Sequence, residues 1–218
     1  MVAENINRIK QRLPPHVALI AVSKTYGAES IMAAYSAGQR DFGESRPQEL
    51  LQKAAALPPD IRWHFIGHLQ SNKVKMVAPR ACLIHSIDSA KLLREVNKAC
   101  EKLSITAHCL LQVHVAQEEA KFGFLPGELL DYLRSGEPAT LRSVRLCGTM
   151  GMASNTSNME QVRGEFRLLK QLHGQSKALA PQPELFTQIS MGMSGDYPIA
   201  VEEGATLVRV GTLIFGGR

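Results

Sequence analysis

The sequence predicts an α/β fold in one domain, a (β/α)8 TIM barrel over residues 1–218, and three observations lead there. Apolar, β-branched runs alternate with segments of helical period, the mark of strand-helix units in a parallel sheet. Eight such runs occur. No stretch rich in Pro, Gly or Ser divides the chain and no low-complexity tract interrupts it, so closing the eight strands into one barrel is the simplest arrangement. A doubly wound open sheet is the competing architecture. It ordinarily carries a glycine-rich dinucleotide fingerprint after an early strand, and VSKTYG at 22–27 supplies none.

Taken in order, a helix over Ala3–Arg12 ends at Pro14 and Pro15, and VALIAVS (17–23) is the first strand. A helix over Ala28–Ala37 leads to the short second strand QRDFGE (39–44), after which Pro47 suits the opening turn of a helix. RWHFIG (62–67), CLIHSI (82–87) and AHCLLQVHV (107–115) are strands three to five, separated by helical stretches near Leu69–Met76 and Ser89–Lys102. RLCGTMG (145–151) and ELFTQIS (184–190) flank a long amphipathic segment from Asn158 to about Leu179. ATLVRVG (205–211) is the eighth strand, before the terminal GTLIFGGR.

Composition narrows the function. The chain of 218 residues is 44% hydrophobic, enough to bury one substantial core. Its 25 basic and 20 acidic residues give a net charge of +5 with no block of like charges, which favours small anionic ligands over nucleic acid. Cys82, Cys100, Cys109 and Cys147 form no C-x-x-C pair, and MVAENINRIKQRL lacks the apolar core of a secretory signal. A reduced, cytoplasmic protein is expected. No run approaches the roughly 20 apolar residues of a membrane helix.

In such barrels function sits at the C-terminal ends of the strands. That rim is expected to collect Lys24, Gly43, Glu44, Gly67, His68, Ser86, His114, Met150, Ser190 and Gly211. Lys24 alone among the lysines directly ends an apolar strand. Partial removal from water favours the neutral amine, which attacks carbonyls to form Schiff bases. The alternative is a lysine whose stem covers apolar surface while its head stays wet. At the other end of the chain, Gly192 and Gly195 let backbone approach a ligand closely, and Ser190, Gly211 and Thr212 suit a phosphate site after strands seven and eight. The structural alternative there is a serine that caps a turn and glycines that end the chain. An amine facing a phosphate cradle across a barrel mouth describes a phosphorylated aldehyde, and pyridoxal 5'-phosphate (PLP) is the cofactor of that shape.

Nearly the whole chain resembles the pyridoxal phosphate homeostasis proteins, also called proline synthase co-transcribed homologues, which share their barrel with the alanine racemase N-terminal domain. The resemblance rests on AVSKT around Lys24, AGQRDFGE (37–44), WHFIGHLQSNK (63–73), KFG (121–123), SMGMSGD (190–196) and VRVGTLIFG (208–216). It implies that Lys24 holds PLP as a reversible aldimine, that Ser190, Gly211 and Thr212 hold its phosphate, and that Arg209 faces the pyridine nitrogen. A guanidinium there disfavours ring protonation and makes a poorer electron sink than an aspartate would. The sequence ends at Arg218, without room for the second domain that supplies a catalytic tyrosine to racemases. Intracellular PLP homeostasis without dedicated catalysis is therefore the expectation, for a monomer that exchanges PLP with PLP-requiring enzymes or meets a regulatory protein. A racemase-like enzyme and a Schiff-base aldolase are the alternatives. Ser45 stands where relatives carry Asn, and GTMGMAS (148–154) departs from a more apolar pattern.

The remaining residues read as structural. His64 and His68 are four apart, as for a metal on a helix, but WHFIG is a strand end. Cys82, Cys109 and Cys147 read as small buried hydrophobes, and Trp63 and Phe65 as facing the helices.

Overall fold

In the computed structural model, which describes residues 1–118 and 122–217, eight parallel strands close into a barrel in chain order. They are β1 (Ala18–Val22), β2 (Asp41–Glu44), β3 (Arg62–Phe65), β4 (Ala81–Ile87), β5 (Ala107–Val113), β6 (Val144–Gly151), β7 (Gln188–Ser190) and β8 (Leu207–Val210). The seam is β8 against β1, where Ile20 pairs with Arg209 and Ala21 with Val210. The first and last strands thus stand side by side, which brings the Lys24 loop and the Gly211 turn together.

The helices are α1 (Val2–Lys10), α2 (Ala28–Ser36), α3 (Pro47–Ala56), α4 (Val74–Val77), α5 (Ala90–Leu103), α6 (Pro126–Arg134), α7 (Met159–Leu179), α8 (Tyr197–Glu202) and α9 (Thr212–Phe215). Local chemistry starts several of them. Pro47 opens α3, where its missing N–H costs nothing. The Ser89 hydroxyl accepts from the Leu92 amide at α5, and the Asn158 side chain accepts from the Gln161 amide at α7. Strand alternation splits the core in two. Ile20, Leu83, Leu110, Met150 and Leu207 form a small cluster inside the barrel. Phe42, Trp63, Phe65, Leu93, Phe166 and many others fill the layer between strands and helices. Trp63 and Phe65 therefore face the helices, as their alternation with His64 indicated.

Several elements differ from the sequence reading. α6 and α8 were not foreseen, and the helix expected over Leu69–Met76 begins only at Val74, after a single 3-10 turn. The seventh strand is short because Pro183 and its neighbours form turns, with the Leu185 amide donating to Gln182 and that of Phe186 to Pro183. Met150 lies inside the barrel rather than on its rim. Cys82 is exposed at the floor, not buried, because it stands near the start of β4, below the packed layers. Among the described residues no helix is long and apolar enough to cross a membrane.

Candidate active site at the barrel mouth

Lys24 follows β1 by two residues and is half-buried. Its peptide is gripped from both sides by α3. Lys53 Nζ donates to the carbonyl of Ser23 at 2.9 Å, and the amide of Thr25 donates to Glu49 Oε2 at 2.8 Å. Thr25 has φ of 68°, a left-handed conformation costly for a β-branched residue and tolerated where neighbours over-determine it. Beneath the loop, Glu44 is fully buried at the end of β2. Its Oε1 accepts from the Ser23 hydroxyl at 2.6 Å and from Lys53 at 2.7 Å, while Oε2 has no partner among the described residues. Burial raises the Glu44 pKa against the pull of Lys53 and Ser23. Glu49 is held below the usual carboxylate range: burial opposes ionisation, and hydrogen bonds from the Thr25 amide and Lys53 outweigh it.

The adjoining wall is β8 and the loop after β7. Gly211 abuts the end of β1 so closely that a Cβ there would stand 3.2 Å from the Val22 carbonyl oxygen. Its amide donates to Ser194 Oγ at 3.3 Å. Thr212 begins α9, where the first-turn N–H groups of a helix have no intrahelical acceptor. The Ser194 loop is shaped by Gly192, whose φ of 86° suits glycine, and a Cβ at that position would lie 2.5 Å from the Cβ of Ala200. The Met193 amide donates to Asp196 Oδ1 at 2.5 Å and fastens the same loop.

Ser190 is fully buried, and its hydroxyl is engaged by Arg209 Nη1 at 2.5 Å and His85 Nδ1 at 2.8 Å. It lies inside the barrel under the mouth, because the strand period turns it inward. The hydroxyl beside the Gly211 amide belongs to Ser194, the second serine of SMGMSGD, which the sequence reading passed over. Arg209 is also buried and donates through Nη2 to the Gly151 carbonyl at 3.0 Å. Burial lowers its pKa to about 10, against the attraction of Asp196, so it is a cation at neutral pH. His68 bonds Asp88 at 3.1 Å and stacks on Phe122 at 4.0 Å, while His64 faces the barrel interior. Lys121 of the KFG motif lies outside the described residues.

The alanine racemase N-terminal domain model matches residues 1–218. A pyridoxal phosphate homeostasis protein of Synechocystis sp. is 40% identical over 94% of this chain and 94% of its own length. The chain belongs to this family. Among solved structures, PipY of Synechococcus elongatus without PLP superposes with a TM-score of 0.94 at 38% identity, covering 99% of this chain and all of that one. PipY with PLP bound gives 0.90 at 37% identity. Alanine racemase of Bartonella henselae shares the fold, with a TM-score of 0.73 at 20% identity over 60% of its length. Membership in the homeostasis-protein family accounts for the shared barrel and for the motifs that now surround its mouth.

Proposed function

We propose that this chain binds PLP through Lys24 and serves intracellular PLP homeostasis, holding and releasing the cofactor rather than turning over an amino acid. The observation that carries the reading is the seam: the half-buried amine after β1 and the amide-hydroxyl pair of Gly211 and Ser194 stand on adjoining walls of one mouth. The donor set fits the group. PLP, when bound, supplies an aldehyde that condenses reversibly with a primary amine. Lys24 is that amine, and the α3 grip on Ser23 and Thr25 fixes where it emerges. Ser194, the Gly211 amide and Thr212 bind the phosphate, with Ser194 taking the place first given to Ser190. Arg209 donates to the pyridine nitrogen and, as a cation, opposes its protonation. The relatives named above support the same reading, one by its name and PipY by its PLP-bound structure. A competing amine from a PLP-requiring enzyme displaces Lys24, and the protein acts as a monomer.

The test is the absorption spectrum of freshly purified protein beside that of Lys24→Ala. Wild type is expected to be yellow and to retain the chromophore on Lys24 after borohydride; the variant is expected to lose it. A colourless protein that borohydride traps only with a sugar phosphate would make it an aldolase. Amino-acid turnover on the order of 1 to 1,000 per second would make it an enzyme.

A further inference from the structure

A continuous hydrogen-bonded chain crosses the barrel from mouth to floor. Arg209 Nη1 meets Ser190 Oγ at 2.5 Å, Ser190 Oγ meets His85 Nδ1 at 2.8 Å, and His85 Nε2 meets His64 Nδ1 at 2.9 Å. His64 Nε2 meets Asp41 Oδ1 at 3.1 Å. The two imidazoles are edge-on at 5.2 Å, and Ser190, His64, His85 and Arg209 are all buried. Asp41, at the start of β2, opens onto a floor cavity of about 350 Å³ that Arg62, Cys82, His108 and Cys147 also line.

The direction of every hydrogen is set from both ends. A guanidinium only donates, so Ser190 Oγ accepts from Arg209. Among the described residues, the acceptor in contact with the Ser190 hydroxyl is His85 Nδ1. Neutral His85 then carries its hydrogen on Nε2 and donates to His64, which donates from its own Nε2 to Asp41. The floor agrees: burial opposes ionisation of Asp41, but hydrogen bonds from His64 and Arg62 outweigh it and hold its pKa at about 2, so it only accepts. Burial first, together with the Arg209 cation, keeps His85 neutral. Reversing the chain would leave the buried Ser190 hydrogen without an acceptor, which is costly.

We propose that Asp41, His64, His85 and Ser190 are positioning residues for Arg209, a through-barrel relay that fixes the guanidinium and couples the charge at the floor to the cofactor's ring nitrogen at the mouth. This rests on the reading of Arg209 as the ring-nitrogen partner. Arg209 is a buried cation whose hydrogen bonds go to the neutral oxygens of Ser190 and Gly151. The relay joins it to a carboxylate that is not in contact with it, through groups polarised in one sense.

The experiment has two arms. Protein labelled with 15N-histidine, without added PLP, is examined by long-range proton-nitrogen correlation at neutral pH, with peaks assigned from His64→Gln and His85→Gln. Both rings are expected to be neutral with hydrogen on Nε2. Hydrogen on Nδ1 of either, or a doubly protonated ring, overturns the relay. In the second arm Asp41→Asn, which keeps an acceptor oxygen but removes the charge, is loaded with PLP. Its dissociation constant is expected to rise roughly three- to tenfold. The pH midpoint of the bound cofactor's absorbance is expected to move as well, which a structural role alone would not cause. A folded Asp41→Asn protein unchanged in both overturns the proposal. If that variant does not fold, His85→Gln is read by the same two measurements. Wild type that binds no PLP overturns the functional reading and the role of Arg209 together, whereas wrong tautomers overturn only the relay.

Discussion

Lys53 Nζ lies 2.9 Å from the carbonyl oxygen of Ser23, so a side chain of α3 holds the peptide immediately before the candidate nucleophile. The same ammonium meets Glu44 at 2.7 Å, with Glu44 fully buried. Lys53→Met strips a buried carboxylate of its cation and is expected to cost roughly 3 kcal/mol, the low end for such a loss because Glu44 can take up a proton. Urea unfolding checks this. The Lys53→Met, Glu44→Gln double variant is expected to regain more than half of the loss, the non-additivity of residues in contact.

On the proposed reading, Ser194 and Ser190 separate by function. Ser194→Ala is expected to weaken PLP binding about tenfold, the loss of one hydrogen bond to a charged group, and to leave binding of unphosphorylated pyridoxal unchanged. Ser190→Ala removes the partner shared by Arg209 and His85, so both ligands are expected to weaken. Titration of the two variants with the two ligands gives the comparison.

At Gly192, an added methyl meets Ala200 Cβ at 2.5 Å in a backbone with φ of 86°. Gly192→Ala combines overpacking with left-handed strain, and a loss of about 2 kcal/mol or more is expected in denaturant titration. Gly195→Ala, where an added methyl meets nothing within 4 Å, is the matched control and is expected to change stability little.

Acid sensitivity follows from buried neutral histidines. Burial lowers the pKa of His173 from 6.5 to about 4, helped by Lys170 and Lys177, and drives that of His85 well below 6.5. The unfolded chain binds these protons at higher pH than the folded one does, so stability is full above 6.5 and declines as pH falls toward 4. His173→Gln is expected to flatten part of that decline, measured as the urea midpoint against pH.

The barrel was legible because strand periodicity is local: AVSK and VRVG each announce an inward alternation and a C-terminal end. Lys24 and Gly211 followed from that, since an eight-stranded closure makes the first and last strands neighbours. Ser190 was conspicuous in the sequence, but its contacts were not. It ends a strand, but the period that places it there turns its hydroxyl inward, toward a histidine contributed by a distant strand. The pairing of His85 with His64, and the α3 residues that clamp Ser23 and Thr25, are tertiary contacts with no periodic signal. Helices α6 and α8 were missed because they carry Pro126 and Pro198 in their first turns, where proline reads equally as a turn residue.

The pairing of β1 with β8 also dictates an order of events during synthesis. Lys24 is translated well before β8, the strand that pairs with its own, so the proposed pocket has no existence until both have been made. On the proposed reading, a nascent polypeptide that still lacks β8 has no phosphate wall with which to sequester the vitamin, and capture begins only after the barrel has closed.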